Sequence, residues 1–182
     1  MKKKIVLAAV IVFSLLMNNN LSAQEPSKFN DVTGTNFVNA GIGIGSYGLY
    51  GTGGLPLTAS FEHGLSKNIS AGLEAGYIQR KYVDGWKYSY FMIGVRASYH
   101  FNELLKVTDP KLDVYGGAGL LYRHFKIKYT GEWNEYYGKA TDGDVTVDLH
   151  AGARYLFNNN LGAFAEVGYG ISPLKLGVSL KF

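Results

Sequence analysis

The chain has 182 residues, a formal net charge of +4, 24 glycines, 14 tyrosines, 4 prolines and no cysteine. The lack of cysteine excludes disulfides and thiolate metal sites, and Lys2, Lys3 and Lys4 carry most of the excess positive charge, so there is no electrostatic reason to expect a nucleic-acid partner. Abundant glycine and aromatic residues with few prolines favour an all-β chain.

The start of the chain has the order of a secretory signal peptide. Residues 1–4 are basic, residues 5–17 are almost purely apolar, and small residues precede a cleavage site after Ala23. The apolar run is shorter than the roughly 20 residues that a membrane-spanning helix needs. We therefore predict a signal peptide over residues 1–23, a flexible lead-in over 24–35, and one domain over 36–182.

From residue 36 onward, apolar residues recur at every second position, which predicts β-strands. The segments are about 36–45, 55–63, 69–80, 88–102, 111–122, 144–157, 161–171 and 174–182. Most approach the roughly 9–11 residues that a tilted strand needs to cross a membrane. Short turns mostly alternate with longer connections, as in an up-and-down barrel. The predicted fold is all-β: an eight-stranded antiparallel up-and-down transmembrane β-barrel.

Alternation alone also fits a soluble lipocalin-like barrel, whose apolar face points inward. The charged residues of the polar face favour the membrane alternative, because they balance as a buried interior would require. We predict an interior charge network of Glu62, Glu74, Arg96, Asp113, Arg123, Asp148, Arg154, Glu166, Lys175 and Lys181. The same face is rich in glycine, which suits the crowded lumen of a narrow barrel.

Aromatic residues of the apolar face sort to the two predicted barrel ends. Such girdles form at the two interfaces of a membrane. One end collects Phe61, Tyr99, Phe101, Tyr155, Phe157 and Phe182, and the other collects Tyr77, Tyr122 and Tyr169.

The last predicted strand has apolar residues at alternate positions and ends in phenylalanine. These residues are Leu174, Leu176, Val178, Leu180 and Phe182. The segment resembles the C-terminal signal that the barrel assembly machinery recognises, and the chain is similar to the OmpA/OmpX-type small outer-membrane barrels. The resemblance implies an integral protein of a Gram-negative outer membrane, in contact with its lipid, with both termini periplasmic. No peptidoglycan-binding domain follows the barrel, so a cell-wall anchoring role is not implied.

Motifs of barrel enzymes are missing. No histidine stands in a His-x-Ser motif, and neither an Asp-Ser nor an Asp-His pair occurs. His100 and His150 could join carboxylates in a metal site, but a hydrogen-bonded interior network is favoured. We predict no catalytic residue, no metal and no cofactor.

The region that follows Arg123 is the candidate site of interaction with a partner. The alternation changes parity near Arg123, which predicts a β-bulge at the barrel rim. Beyond it, Trp133, Tyr136 and Tyr137 form a candidate extracellular contact loop on a protruding hairpin, which would bind a surface or outer-membrane protein by strand addition or aromatic contact. The alternative is a loop whose aromatic rings rest on the lipid. We predict a non-enzymatic structural or surface-interaction role; a narrow pore for small solutes and a lipid A-modifying enzyme are the alternatives.

Overall fold

The computed structural model describes residues 29, 31–47, 51–81, 86–129 and 139–182 as an antiparallel β-structure. The strands are β1 (Asn36–Ile44), β2 (Thr52–Gly53), β3 (Leu57–Ser66), β4 (Ile69–Lys81), β5 (Trp86–His100), β6 (Leu112–Tyr129), β7 (Lys139–Leu156), β8 (Leu161–Tyr169) and β9 (Leu174–Lys181). The predicted signal peptide and the predicted contact loop lie outside the described residues.

Eight of these strands close into a barrel. Each pairs with its neighbours along the chain, and β1 pairs with β9 on one side and β3 on the other. The short β2 only extends the end of β4 at Thr52 and Gly53. Closure gives every barrel strand two partners, which removes sheet edges from the spanning region. The predicted eight-stranded up-and-down barrel is confirmed. Among the described residues, no helix has the length and hydrophobicity needed to span a bilayer.

The strands point their apolar side chains away from the barrel axis. Leu73, Val95 and Leu120 are each 55% exposed, whereas Glu62 is 1% exposed on the opposite face. Glycine lets neighbouring strands approach on the inner face: a Cβ at Gly94 would collide with the carbonyl oxygen of Leu120. The lumen therefore holds the polar side chains, and the outer surface is apolar.

The predicted bulge near Arg123 is wrong. The register of β6 runs without a shift from Leu112↔Tyr155 to Lys128↔Lys139, and its pairing with β5 is equally regular. The parity of the apolar residues changes because β6 continues beyond the barrel rim, where its inner face carries Phe125. The register shift in the described sheet lies instead between Gly64 and Ser66 of β3.

Apolar clusters occupy the lumen near both ends. Phe29, Val32, Phe37 and Leu156 form one cluster at the end that carries the short turns. Met92, Leu121 and Ile171 form the other, with Tyr90 packed against them, at the end that carries the longer connections. We call these the turn end and the loop end. Glu74, Arg96 and Glu166 lie in the polar region between the two clusters.

Part of the lead-in predicted over 24–35 packs against the barrel. Phe29 and Val32 are 2% and 1% exposed, and the Val32 amide donates to the Lys67 carbonyl at 3.0 Å. Phe29 also stacks on Phe37, with ring centroids 6.1 Å apart. This described part of the lead-in thus packs into the mouth of the barrel at the turn end.

Candidate functional site

Nine of the ten predicted network residues point into the lumen and are 0–9% exposed. Because side chains alternate between the two faces of a strand, the period-two pattern places them there. The nine are Glu62, Glu74, Arg96, Asp113, Asp148, Arg154, Glu166, Lys175 and Lys181. Arg123 shares their parity but lies nearer the loop end, where it forms an ion pair with Asp144 and its side chain is 26% exposed.

Arg96 is the central cation in the part of the network nearer the loop end. Its Nη2 lies 2.9 Å from Glu166 Oε1, its Nε 3.2 Å from Glu62 Oε1, and its Nη1 3.7 Å from Glu74 Oε2. Lys175 Nζ lies 2.7 Å from Glu74 Oε1 and 2.8 Å from Glu166 Oε2. Five strands thus contribute to one ion cluster, and a buried charge of this kind is tolerated only when it is paired.

Arg154 is the central cation in the part of the network nearer the turn end. Its Nη1 donates to Asp113 Oδ2 at 2.7 Å. The guanidinium lies over the rings of Phe37 and Tyr115, 4.2 and 4.6 Å from their centroids. Asp113 also contacts His100 Nδ1 at 2.8 Å through its other oxygen. The guanidinium and the imidazole together hold the Asp113 carboxylate in place.

Two Ser-His-Asp hydrogen-bond chains were missed by sequence reasoning. Ser98 Oγ lies 2.9 Å from His150 Nε2, and His150 Nδ1 lies 2.6 Å from Asp148 Oδ2. Ser70 Oγ lies 3.0 Å from His100 Nε2, whose Nδ1 contacts Asp113. Local motifs could not reveal them, but inner-face parity could, since Ser70 and Ser98 are register partners on β4 and β5.

The order of groups matches that of a hydrolase triad, but both serine hydroxyls are buried. Ser70 is 0% exposed and Ser98 is 2% exposed, so no substrate carbonyl can reach either hydroxyl. Ser70 also donates its single proton to Glu62 Oε2 at 2.8 Å. Its hydroxyl is therefore an acceptor toward His100, the reverse of what a nucleophile requires. Both chains connect strands of the barrel through buried side-chain contacts.

The lumen has little free space. A cavity of about 10 Å³, room for about one water molecule, is lined by Asn39, Ser60, Glu74, Arg96 and Phe164, among others. Within the described part of the chain, no three His, Asp or Glu side chains are arranged to hold a metal ion. The interior is thus a packed polar core between two apolar clusters.

A second candidate site lies at the loop end, where part of the sheet extends beyond the rest of the barrel. β6 and β7 each have 18 residues, against 9 in β8. The last pair between β7 and β8 is Leu149↔Tyr169. No described strand pairs with β7 on that side from Lys139 to Asp148. We call the part of β4–β7 that lies above the barrel rim the protruding sheet.

The direction in which backbone N–H and C=O groups point on this edge follows from two hydrogen bonds at the other end of β7. The Phe157 amide donates to Leu161 of β8 and the Leu156 amide to Lys111 on the β6 side. Odd-numbered residues of β7 therefore point their N–H and C=O groups toward the β8 side. On the free edge these include Val145 and Val147, while the Gly143 amide is capped by Asp142 Oδ1 at 2.7 Å.

The inner face of the protruding sheet is aromatic. Trp86 contacts Tyr129 with ring centroids 5.1 Å apart, and Phe125 lies 4.8 Å from Tyr90 and 5.9 Å from Tyr88. These rings occupy the same face as the lumen residues of β5 and β6. The sequence prediction named Trp133, Tyr136 and Tyr137 instead, which lie outside the described residues.

The predicted assembly signal lies in and just after β9. Leu176 and Val178 face outward and are 37% and 52% exposed, and Phe182, which follows the strand, is 40% exposed. Leu174 and Leu180 are half-buried on the same face. The five residues form an apolar stripe along the outside of the strand that closes the barrel against β1.

Solved structures with a similar fold are outer-membrane barrels. The N-terminal β-barrel domain of Pseudomonas aeruginosa OprF is 18% identical, with a TM-score of 0.55 over 82% of this chain and 98% of that chain. P. aeruginosa OprG is 13% identical, with a TM-score of 0.56 over 86% and 99%. Ail, the attachment invasion locus protein of Yersinia pestis, is 13% identical, with a TM-score of 0.50 over 82% and 99%. No curated protein matches the chain.

The family model described as the outer membrane protein beta-barrel domain matches residues 5–181. That range includes every described strand, and the match agrees with the apolar outer surface and closed strand order derived above. The chain belongs to the outer membrane protein beta-barrel domain family, whose place is the outer membrane of Gram-negative bacteria.

Proposed function

We propose that this protein is a non-enzymatic interaction barrel that presents the protruding sheet at the cell surface. The edge of β7 that pairs with no described strand carries this proposal, since a row of free N–H and C=O groups is a template for a strand from another chain. The short turns and both termini would lie in the periplasm, as in other barrels of this type. The protruding sheet then stands outside the cell.

The partner that fits this edge is an extended peptide segment. Main-chain hydrogen bonds to Val145 and Val147 would supply affinity, and alternate side chains would supply specificity. Outward-facing side chains of the added strand would lie beside Val145, and the others beside Thr146. A partner with alternating apolar and polar residues therefore matches the edge.

Proline and threonine at position 145 test this proposal. Val145→Pro removes an edge N–H without breaking a described pair, because proline is tolerated on edge strands. Val145→Thr keeps the N–H and the β-branched shape. We expect peptides selected from an extended-peptide library on the native barrel in lipid nanodiscs to bind Val145→Pro at least about tenfold more weakly, which corresponds to one or two lost hydrogen bonds, and to bind Val145→Thr almost unchanged.

Two results would contradict strand addition. One is a library that yields no binder to the native barrel. The other is a set of binders that treats both variants alike. Deleting residues 132–140 separates the edge from the predicted contact loop: binders that are lost on this deletion but survive Val145→Pro would place the contact in that loop.

The absence of enzymatic activity is part of the proposal and has its own test. The buried serines described above support it. Lipid A mass spectra from cells with and without the protein should be identical in acyl and headgroup composition. A new lipid A species that depends on the protein would establish the enzyme alternative.

A further inference from the structure

Lysines from neighbouring strands line up across the protruding sheet. Lys81 of β4 is the register partner of Lys87 of β5, and Lys87 is the partner of Lys128 of β6. The register continues to Lys139 of β7. Lys126 lies two residues from Lys128, on the same face and one step nearer the membrane. We call Lys81, Lys87, Lys126 and Lys128 the lysine patch.

The patch lies on the outward face of the sheet. Residues two apart on a strand share a face, and Tyr77, Phe91 and Tyr122 lie lower on the same faces of β4, β5 and β6, where they are 42–49% exposed. Lys81, Lys126 and Lys128 are exposed and Lys87 is half-buried. The lysines therefore lie four to six residues beyond these aromatic side chains along the strands, on the same outward face as the lipid-facing band.

The described residues supply no counter-charge to this patch. None of its lysines takes part in a described ion pair. Asp142 and Asp144 of β7 belong to the inner face, and Asp144 pairs with Arg123. Like charges directly opposite on neighbouring strands destabilise a sheet. The row is thus arranged to receive an anion from outside the described chain.

We propose that the lysine patch binds the phosphate groups of a phosphorylated glycolipid in the outer leaflet. Neighbouring strands are about 4.8 Å apart, so two ammonium groups of the row can contact one phosphate from both sides. Aromatic girdles mark the headgroup level, and the patch lies four to six residues further from the membrane on the same face. The proposal rests on the membrane orientation given under the proposed function.

A lipid fits this surface better than a soluble polyanion does. The patch adjoins the apolar side chains of the barrel wall, so a ligand with acyl chains would contact Phe91 and Tyr122 below while its phosphates contact the lysines above. A soluble polyanion would use only the upper half of this surface. Acyl chains should therefore add to affinity.

Matched triple variants of the full mature protein test the proposal. Lys81→Gln, Lys87→Gln and Lys128→Gln together remove the row. Lys67→Gln, Lys106→Gln and Lys111→Gln together remove the same charge at the turn end. Binding of the bisphosphorylated lipid A to the detergent-solubilised barrel is measured by native mass spectrometry, beside the same lipid after enzymatic dephosphorylation and its deacylated, phosphorylated sugar. Heat-modifiable gel mobility establishes that each variant is folded.

We expect the row variant to bind bisphosphorylated lipid A roughly 100-fold more weakly, since each lysine near an anionic surface contributes about a factor of five to ten. The turn-end variant should change less than about threefold by the same reasoning. Removing the phosphates should weaken binding to the native protein by a similar factor, and added salt should weaken it further.

Several outcomes would overturn the proposal. Equal losses in the two triple variants would show a general charge effect, and equal binding of the dephosphorylated lipid would exclude phosphate recognition. Equal binding of the deacylated sugar would make the ligand a soluble polyanion. Labelling whole cells with a membrane-impermeant amine reagent tests orientation separately: Lys128 should react and Lys111 should not. The peptide-binding test at Val145 is independent of all these results.

Discussion

Replacing Arg96 with methionine measures how much the buried ion cluster contributes to the stability of the barrel. Methionine keeps much of the side-chain length and removes the charge. Lys175 still pairs with Glu74 and Glu166 at 2.7 and 2.8 Å. Glu62 loses its ion-pair partner among the described residues and keeps the Ser70 hydroxyl at 2.8 Å. Within this five-residue cluster the variant therefore leaves one ammonium group for three carboxylates, and Glu62 is the carboxylate left without a paired cation.

Breaking a buried pair by removing one partner costs about 3–5 kcal/mol, and we expect a decrease of this size in the free energy of unfolding. Urea unfolding in phospholipid vesicles, followed by tryptophan fluorescence, measures it. Arg123→Met is the control, because the Arg123–Asp144 pair has side chains 26% and 52% exposed and exposed pairs contribute about 0–1 kcal/mol.

The double variant Arg96→Met/Glu62→Gln identifies the cause. Neutralising Glu62 should recover most of the lost stability, and the coupling between the two sites should exceed about 0.5 kcal/mol, as it does for residues in contact. A cost below about 1 kcal/mol for Arg96→Met alone would refute a network held by charge pairing. A double variant no more stable than Arg96→Met would show that the loss comes from packing.

The remaining predictions concern the inner wall and the lumen. Gly94→Val should lower stability by about 1–3 kcal/mol or more through overpacking, because its Cβ collides with the Leu120 carbonyl. A Cβ at Gly54 meets no atom within 4 Å, so Gly54→Val should fold normally by gel mobility. Ser98→Ala should leave lipid A mass spectra unchanged and cost about 1 kcal/mol in urea unfolding, the value of one hydrogen bond; altered lipid spectra would point to catalysis. The native barrel in planar bilayers should show no steady large conductance, because side chains fill the lumen, and a stable open level would favour the pore.

The sequence predicted the architecture because a membrane barrel imposes two simple constraints. A strand has a period of two, and a lipid-facing surface excludes charge. These two constraints are sufficient to assign Glu62 and Arg154 to one face and Leu73 to the other. They also located β8 and β9 to within two residues at each end. No knowledge of strand pairing was needed for these assignments.

The period-two pattern gives a side chain's face but not its height along the barrel. Arg123 has the parity of a lumen residue, yet β6 carries it above the point where β8 ends, so it pairs with Asp144 near the surface. The same continuation of β6 made the inner-face position of Phe125 look like a bulge. How far a strand extends beyond the membrane depends on whether the strand next to it also extends, and this is a property of the assembled sheet.

The sequence also could not predict which charged residues pair in the lumen. Arg96 and Glu166 are 70 residues apart in the chain and meet only because the sheet closes. Local order therefore determined the class of fold, the face of the residues within the membrane-spanning strands and the apolar wall. Closure and register decided which ions pair, where β7 extends past its last described partner in β8 and how the lysines align. These features depend on contacts between strands that no single segment specifies.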